Sequence, residues 1–281
     1  NTYTAGFGLH SQKAPLNVHF QNVRGGNGKL RQTNKDLGFI KALHGVLGYE
    51  RQLSEKVRLK TEAYYQDITQ SIVEPTPSSY SILNFTDAGY QDRSPRNLVN
   101  GGSGTNYGLD VTLEQFMDQG FYYMLTSSIF TSQYEGSDGK QRSTANDGNY
   151  MNNLVIGKEF ELWANSGDQS TKTFLVLDGS IAHGGGKRYT PIDVQASREQ
   201  GETVYQLDKP YTKQFKDYLR ADLQLSLKVN GENVTQEFGF DIQNITDRKN
   251  PLRRNFNPSS GTVETINQTG RLPVAQYRIE F

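Results

Sequence analysis

From Leu219 to Val229 apolar and polar residues alternate without a break. Leu219, Ala221, Leu223, Leu225, Leu227 and Val229 fall on one parity, and Arg220, Asp222, Gln224, Ser226 and Lys228 on the other. Successive side chains of a strand point to opposite faces, so the run predicts a strand with one greasy and one charged face. An ordinary half-buried strand has the same alternation. This one spans eleven residues, enough to cross a bilayer as a tilted strand.

The pattern recurs along the chain. Alternation bounded by turn residues predicts about ten strands: Tyr3–Ser11, Gly38–Gln52, Val57–Ser71, Asn106–Gln115, Gly120–Gln133, Asn153–Glu161, Lys172–His183, Phe215–Val229, Val234–Ile245 and Leu272–Phe281. In the third, Val57, Leu59, Thr61, Ala63 and Tyr65 oppose Arg58, Lys60, Glu62, Tyr64 and Gln66. Short turns (Leu53–Lys56, Phe116–Gln119, Asn165–Ser170, Asn230–Asn233) alternate with long polar connections: Gln12–Leu37, Ile72–Thr105, Tyr134–Asn152, Gly184–Gln214 and Thr246–Arg271. Loops this long argue against an ordinary compact domain. Strict alternation of short and long is what a membrane barrel requires, with tight periplasmic turns and extended extracellular loops. A soluble sandwich or propeller also alternates, but its strands average five or six residues. The expected fold is all-β: an antiparallel transmembrane β-barrel, or part of one, over residues 1–281. No helix of useful length is expected. The glycines at Gly25–Gly28, Gly101–Gly104 and Gly184–Gly186 fall in or beside long connections and read as loop hinges.

Composition changes this picture little. Of 281 residues 34% are hydrophobic, and no apolar run approaches the length of a membrane helix. Average hydropathy is blind to barrels, whose lipid-facing residues are diluted by lumen-facing polar ones. Thirty basic residues balance thirty acidic ones, so nothing points to nucleic acid. There is no cysteine, hence no disulfide framework and no thiolate metal site. Sixteen tyrosines and fourteen phenylalanines suit strands and interfacial girdles. The opening NTYTAGFGLHS lacks a signal peptide's basic and apolar regions, and the expectation is a mature or truncated piece of something longer.

Five segments carry a family resemblance: GFGLHSQKAPLNVHF (6–20), NYGLDVTLEQFMDQGFYYMLTSSIFTSQYEGSDGKQRSTANDGNY (106–150), LVIGKEF (154–160), DIQNITDRKN (241–250) and LPVAQYRIEF (272–281). In this order they resemble the C-terminal barrel region of TonB-dependent outer-membrane receptors, of the Bacteroidetes type with a carboxypeptidase-regulatory-like N-terminal domain. DIQNITDRKN is similar to the penultimate-strand signature of that family, and the terminal Phe281 to its assembly signal. The resemblance implies a 22-stranded barrel around a plug, of which these strands are the C-terminal portion. It implies a place in the bacterial outer membrane and nutrient uptake driven through TonB. The implied partners are outer-membrane lipid, the plug domain of the same parent chain, TonB through a region not in this sequence, and a surface lipoprotein. An alternative is a scaffolding barrel that docks lipoproteins or secretion partners without transport. A third is a self-contained ten-stranded barrel, which requires Tyr3–Ser11 to pair with Leu272–Phe281.

Candidate chemistry is sparse. His10, His19, His44 and His183 have no metal-ligand spacing, and no nucleophile elbow, P-loop or zinc motif appears. Neither an enzyme nor a cofactor is expected. Asp110, Glu114, Asp178, Asp222 and Asp241, with Arg58, Lys60, Arg220, Lys228 and Arg278, should face the lumen, because an Arg or Lys against mid-bilayer lipid costs about 2–4 kcal/mol. Candidates for solute contact in loops or lumen are His10, Gln12, His19, Tyr90, His183 and Tyr189, with the loop aromatics Tyr80, Phe85, Tyr205, Tyr211 and Phe256. Aromatics on loops bind ligands, but they also pack loops together, and packing is the commoner role. GSDGK (136–140) is too short for an EF-hand loop and reads as a turn.

Overall fold

A computed structural model describes residues 1–24, 29–84, 97–164 and 171–281. Ten long strands follow one another in chain order, each antiparallel to the next. They are β1 (Thr2–Gln12), β2 (Ile40–Gln52), β3 (Val57–Val73), β4 (Val99–Asp118), β5 (Phe121–Glu135), β6 (Tyr150–Ala164), β7 (Lys172–Gly184), β8 (Tyr218–Asn230), β9 (Thr235–Gln243) and β10 (Leu272–Glu280). All ten expected strands are present; six are longer than expected, and β2, β8, β9 and β10 are shorter by one to three residues. β4 grows most, from an expected ten residues to 20.

Register fixes the two faces. Leu225 sits opposite Leu177 on β7 and Phe240 on β9, and Phe240 opposite Ala275 on β10. Leu109 likewise faces Ala63 and Ile129. This face is open: Leu223, Leu225 and Leu227 keep 39%, 47% and 37% of their surface. Water would penalise such an area, whereas hydrocarbon does not. The opposite parity carries most of the charges, and several of them are paired. Arg58 donates to Glu114 and also reaches Glu50, Lys60 lies 2.7 Å from Glu62, and Arg220 2.8 Å from Asp222. Tyr122 donates to Asp178 at 2.7 Å, and Asn106 to Gln66 at 2.7 Å. The structure thus describes an antiparallel barrel wall with one lipid-type and one aqueous face.

Short turns occupy one end. The β4–β5 hairpin turns on Gln119 and Gly120, both at positive φ (47° and 75°), the geometry that matches strand twist in two-residue hairpins. The turn is therefore two residues later than Phe116–Gln119 suggests. A Cβ on Gly120 would also press on the Glu159 carbonyl. Leu53 and Gly231 close the β2–β3 and β8–β9 turns by donating to Val57 and Val234. The turn expected at Asn165–Ser170 lies outside the described residues.

The long connections at the other end contain small elements. Helix α1 (Leu16–His19) and the hairpin Asn22–Arg24 with Leu30–Gln32 follow β1. The β7–β8 connection holds helix α2 (Val194–Gln200), and the β9–β10 connection holds the hairpin Pro251–Asn257 with Thr262–Asn267. The expectation of no useful helix is corrected by α2. Asp193 caps its N-terminus by accepting from the Ala196 amide, and Gly201 closes it at φ 70°, the usual devices for starting and stopping a helix. A conventional core, absent from the middle of the wall, forms here: Ala14, Val18, Leu37, Ile72, Ile82 and Leu98 are buried together.

The hinge reading of two glycine groups is also corrected, while Gly25–Gly28 lie outside the described residues. Gly101–Gly104 belong to β4. A Cβ on Gly102 would strike Val73, and one on Gly104 would strike Leu83. Gly185 passes so close to Gly148 that neither can carry a side chain. These glycines permit close packing.

β1 pairs with β2 and β10 with β9, and β1 and β10 do not pair with each other. The self-contained ten-stranded barrel is not what these strands form.

Candidate functional site: a cavity among the long loops

Three connections that are far apart in sequence meet above the wall. Ser137 Oγ donates to the Thr76 carbonyl at 2.6 Å and accepts from the Ser78 amide at 3.0 Å. Ser79 Oγ donates to the Leu207 carbonyl at 3.2 Å, and Asn84 Oδ1 accepts from the Ala145 amide at 2.8 Å. Short serine and asparagine side chains substitute here for a sheet ladder. Together the loops enclose a cavity of about 360 Å³, the lower range for small-molecule sites.

Its walls are mixed. Tyr80 and Tyr211 supply aromatic surface, and Ser81 and Thr190 supply hydroxyls. Burial, with the nearby Glu74 charge, pushes the Tyr80 phenol up to about 12, and burial does the same to Tyr211. Both are neutral hydrogen-bond donors at any physiological pH. Tyr211 has φ 56°, a left-handed backbone that a bulky residue rarely adopts. It is held there by its amide donating to Thr190 Oγ1 at 3.3 Å and by its ring meeting Tyr134 edge-on at 6.1 Å. Such strain gathers at functional sites. Arg142 clamps Asp138 with both terminal nitrogens, at 2.9 and 2.5 Å. This bond, more than any other influence, holds the Asp138 carboxyl below its usual range. Glu74, Asp208 and Lys140 complete the charged lining. The GSDGK turn is confirmed, with Gly139 donating to the Gly136 carbonyl, and its aspartate belongs to the cavity wall.

No family model and no curated protein matches this chain. A solved structure does. The outer-membrane transporter YddB of Escherichia coli shares the fold, with a TM-score of 0.59 over 99% of this chain at 13% identity. The chain spans 38% of that transporter's length. The fold is that of an outer-membrane transporter's barrel wall, seen here in part.

The residues singled out by sequence scatter around this frame. His10 lies on the polar face of β1 opposite Ala42, with its ring 6.2 Å from that of His44. Gln12 ends β1 in solvent. His19 is buried in α1 at 5% exposure, and its Nε2 has no hydrogen-bond partner among the described residues. Tyr90 and Phe85 lie outside the described residues. His183 sits at the loop end of β7. It shares the face of Leu219, opposite the lumen parity, and its ring packs on Tyr150 at 5.4 Å. Tyr189 stacks on Phe215 at 4.4 Å. Phe256 is buried and serves packing. Of the six sequence candidates, the five that are described (His10, Gln12, His19, His183 and Tyr189) do not line this cavity, whereas Tyr80 and Tyr211 do. Arg142, Asp138 and Thr190 were not singled out. Asp138 and Arg142 have only the polar turn around Gly139 as a sequence signal, and Thr190 has none. Among the described residues no group of three His, Cys, Asp or Glu could hold a metal ion.

The DIQNITDRKN stretch has a local physical account. β9 ends at Gln243 while β8 continues up to Tyr218, leaving β8 backbone groups unpaired. Asn250 supplies both partners, accepting from the Leu219 amide at 3.1 Å and donating to its carbonyl at 2.8 Å. Ile245 donates to the Ala221 carbonyl, and buried Asn244 closes the turn onto Arg248.

Proposed function

We propose that this sheet is the C-terminal portion of a 22-stranded outer-membrane receptor that takes up a nutrient with energy delivered through TonB. On this reading the loops capture the solute, a plug from the same parent chain fills the lumen, and TonB displaces the plug. The observation that carries the reading is a polar, ion-paired wall face beneath a loop-built cavity lined by tyrosines. The likeness to a transporter's fold supports it. So do the outer edges of β1 and β10, which no other described strand pairs, because open edges are not tolerated in hydrocarbon.

The test is growth of the native bacterium on single limiting nutrients, namely oligosaccharides, peptides and iron chelates. Loss of the intact gene and loss of TonB are each expected to abolish growth on the same nutrient, and Tyr211→Asp to weaken it at low concentration. Growth indifferent to both deletions on every nutrient would sink the uptake reading.

A further inference from the structure

We propose that a second loop cavity binds a phosphate-bearing anion. This cavity, of about 400 Å³, lies between α2, the strand pair Arg188–Tyr189 with Lys213–Gln214, and the hairpin Pro251–Asn257 with Thr262–Asn267. Each element contributes one cation: Arg198, Lys213 and Arg254. No acidic residue is among its lining residues. None of the three cations enters an ion pair among the described residues. In this they differ from Arg58, Arg142, Arg188, Arg220 and Arg278, each of which has a carboxylate within 4.0 Å. Three cations gathered without counter-charge repel one another, and the arrangement is stable when an anion neutralises them.

A second observation points the same way. The Nε of Arg254 is buried and has no hydrogen-bond partner among the described residues. A buried donor without an acceptor is costly. The rest of that guanidinium is fixed: Nη1 donates to the Tyr189 hydroxyl at 3.2 Å, and the group lies 5.5 Å from the Tyr189 ring centroid. Arg198 is fixed by its Nε donating to the Gly261 carbonyl at 3.2 Å. The forks are therefore preorganised, which is how guanidinium groups select planar or tetrahedral oxyanions. Three positive charges favour a doubly charged phosphate over a single carboxylate. The cavity is larger than a bare oxyanion, and Val194 and Val263 on its rim offer contact to an organic body. This site stands apart from the tyrosine-lined cavity, whose lining includes three carboxylates. It does not depend on transport.

The phosphate could come from a soluble solute or from a lipid headgroup, and the test separates them. The intact protein is placed in zwitterionic nanodiscs and titrated calorimetrically with inorganic pyrophosphate. Saturable binding is expected, weakened at least tenfold in R198Q/K213Q, whose two side chains are exposed and whose fold should be unaffected. R254K keeps the charge but loses the fork, and a loss of threefold or more is expected. In a second arm phosphatidic acid is added to the nanodiscs. Pyrophosphate binding abolished there in the parent protein assigns the site to lipid phosphate, and binding retained assigns it to a soluble ligand. No saturable binding of pyrophosphate with no retention of phosphatidic acid, or binding unchanged in R198Q/K213Q, would overturn the proposal.

Discussion

The wall and the loop cap are stabilised in opposite ways. In the wall, Leu225, Phe238 and Phe240 stand exposed at 47%, 51% and 49%, and the polar side chains face one another. In the cap, Ile72 is fully buried and Ile82 and Leu98 nearly so, as in any water-soluble domain. One chain alternates between two solvents, and the sign of a substitution's effect depends on which region receives it.

The largest separation of the two is expected from Ile72→Ala. Truncating a fully buried isoleucine costs about 2–5 kcal/mol, and this cost should appear as faster hydrogen exchange in the cap, with exchange in β7–β9 unchanged. Uniform acceleration would mean that cap and wall unfold as one unit. Next, Leu223→Arg places a charge on the greasy face and should lower stability by about 2–4 kcal/mol in vesicle refolding, while Gln224→Arg on the polar face should be nearly neutral. Equal losses would show that the two faces are wrongly assigned. At the seam between regions, Asn250→Ala leaves the Leu219 amide and carbonyl without partners, a loss of about 1–3 kcal/mol, read as local exchange at the top of β8. The smallest effect is electrostatic. Asp138 has its carboxyl held below the ordinary 3.8, so its bond to Arg142 contributes stability above pH 3.8 and loses it as pH falls through the lower folded value. Cap exchange should accelerate in that acid range for the native protein and be insensitive to it in Asp138→Asn. Identical acid responses would remove the pair from the account.

Legibility followed the same division. The wall could be read because period two is a one-residue rule that survives wherever a strand separates two solvents. Leu219–Val229 reveals it without any knowledge of its neighbours. The cap could not, because elements of two to seven residues show too little periodicity. Only α2 announced itself, through Asp193 and Gly201, and that signal was available to be read. Gly101–Gly104 misled because glycine marks both a hinge and a close contact, and only the positions of Val73 and Leu83 decide between them. The cavities were hidden for a further reason. Tyr80, Arg142 and Tyr211 meet through three separate connections, and nothing local in the chain brings them together.

The twenty residues of β4 have a consequence for where recognition happens. At about 3.3 Å per residue and a tilt near 45°, such a strand rises roughly 47 Å, against a hydrocarbon slab of about 30 Å. Its upper third passes through the headgroup layer, and about 10 Å at its tip stands beyond it. Thinning or thickening the bilayer should thus load the lower rungs alone, leaving the tyrosine chamber at a fixed height in open water.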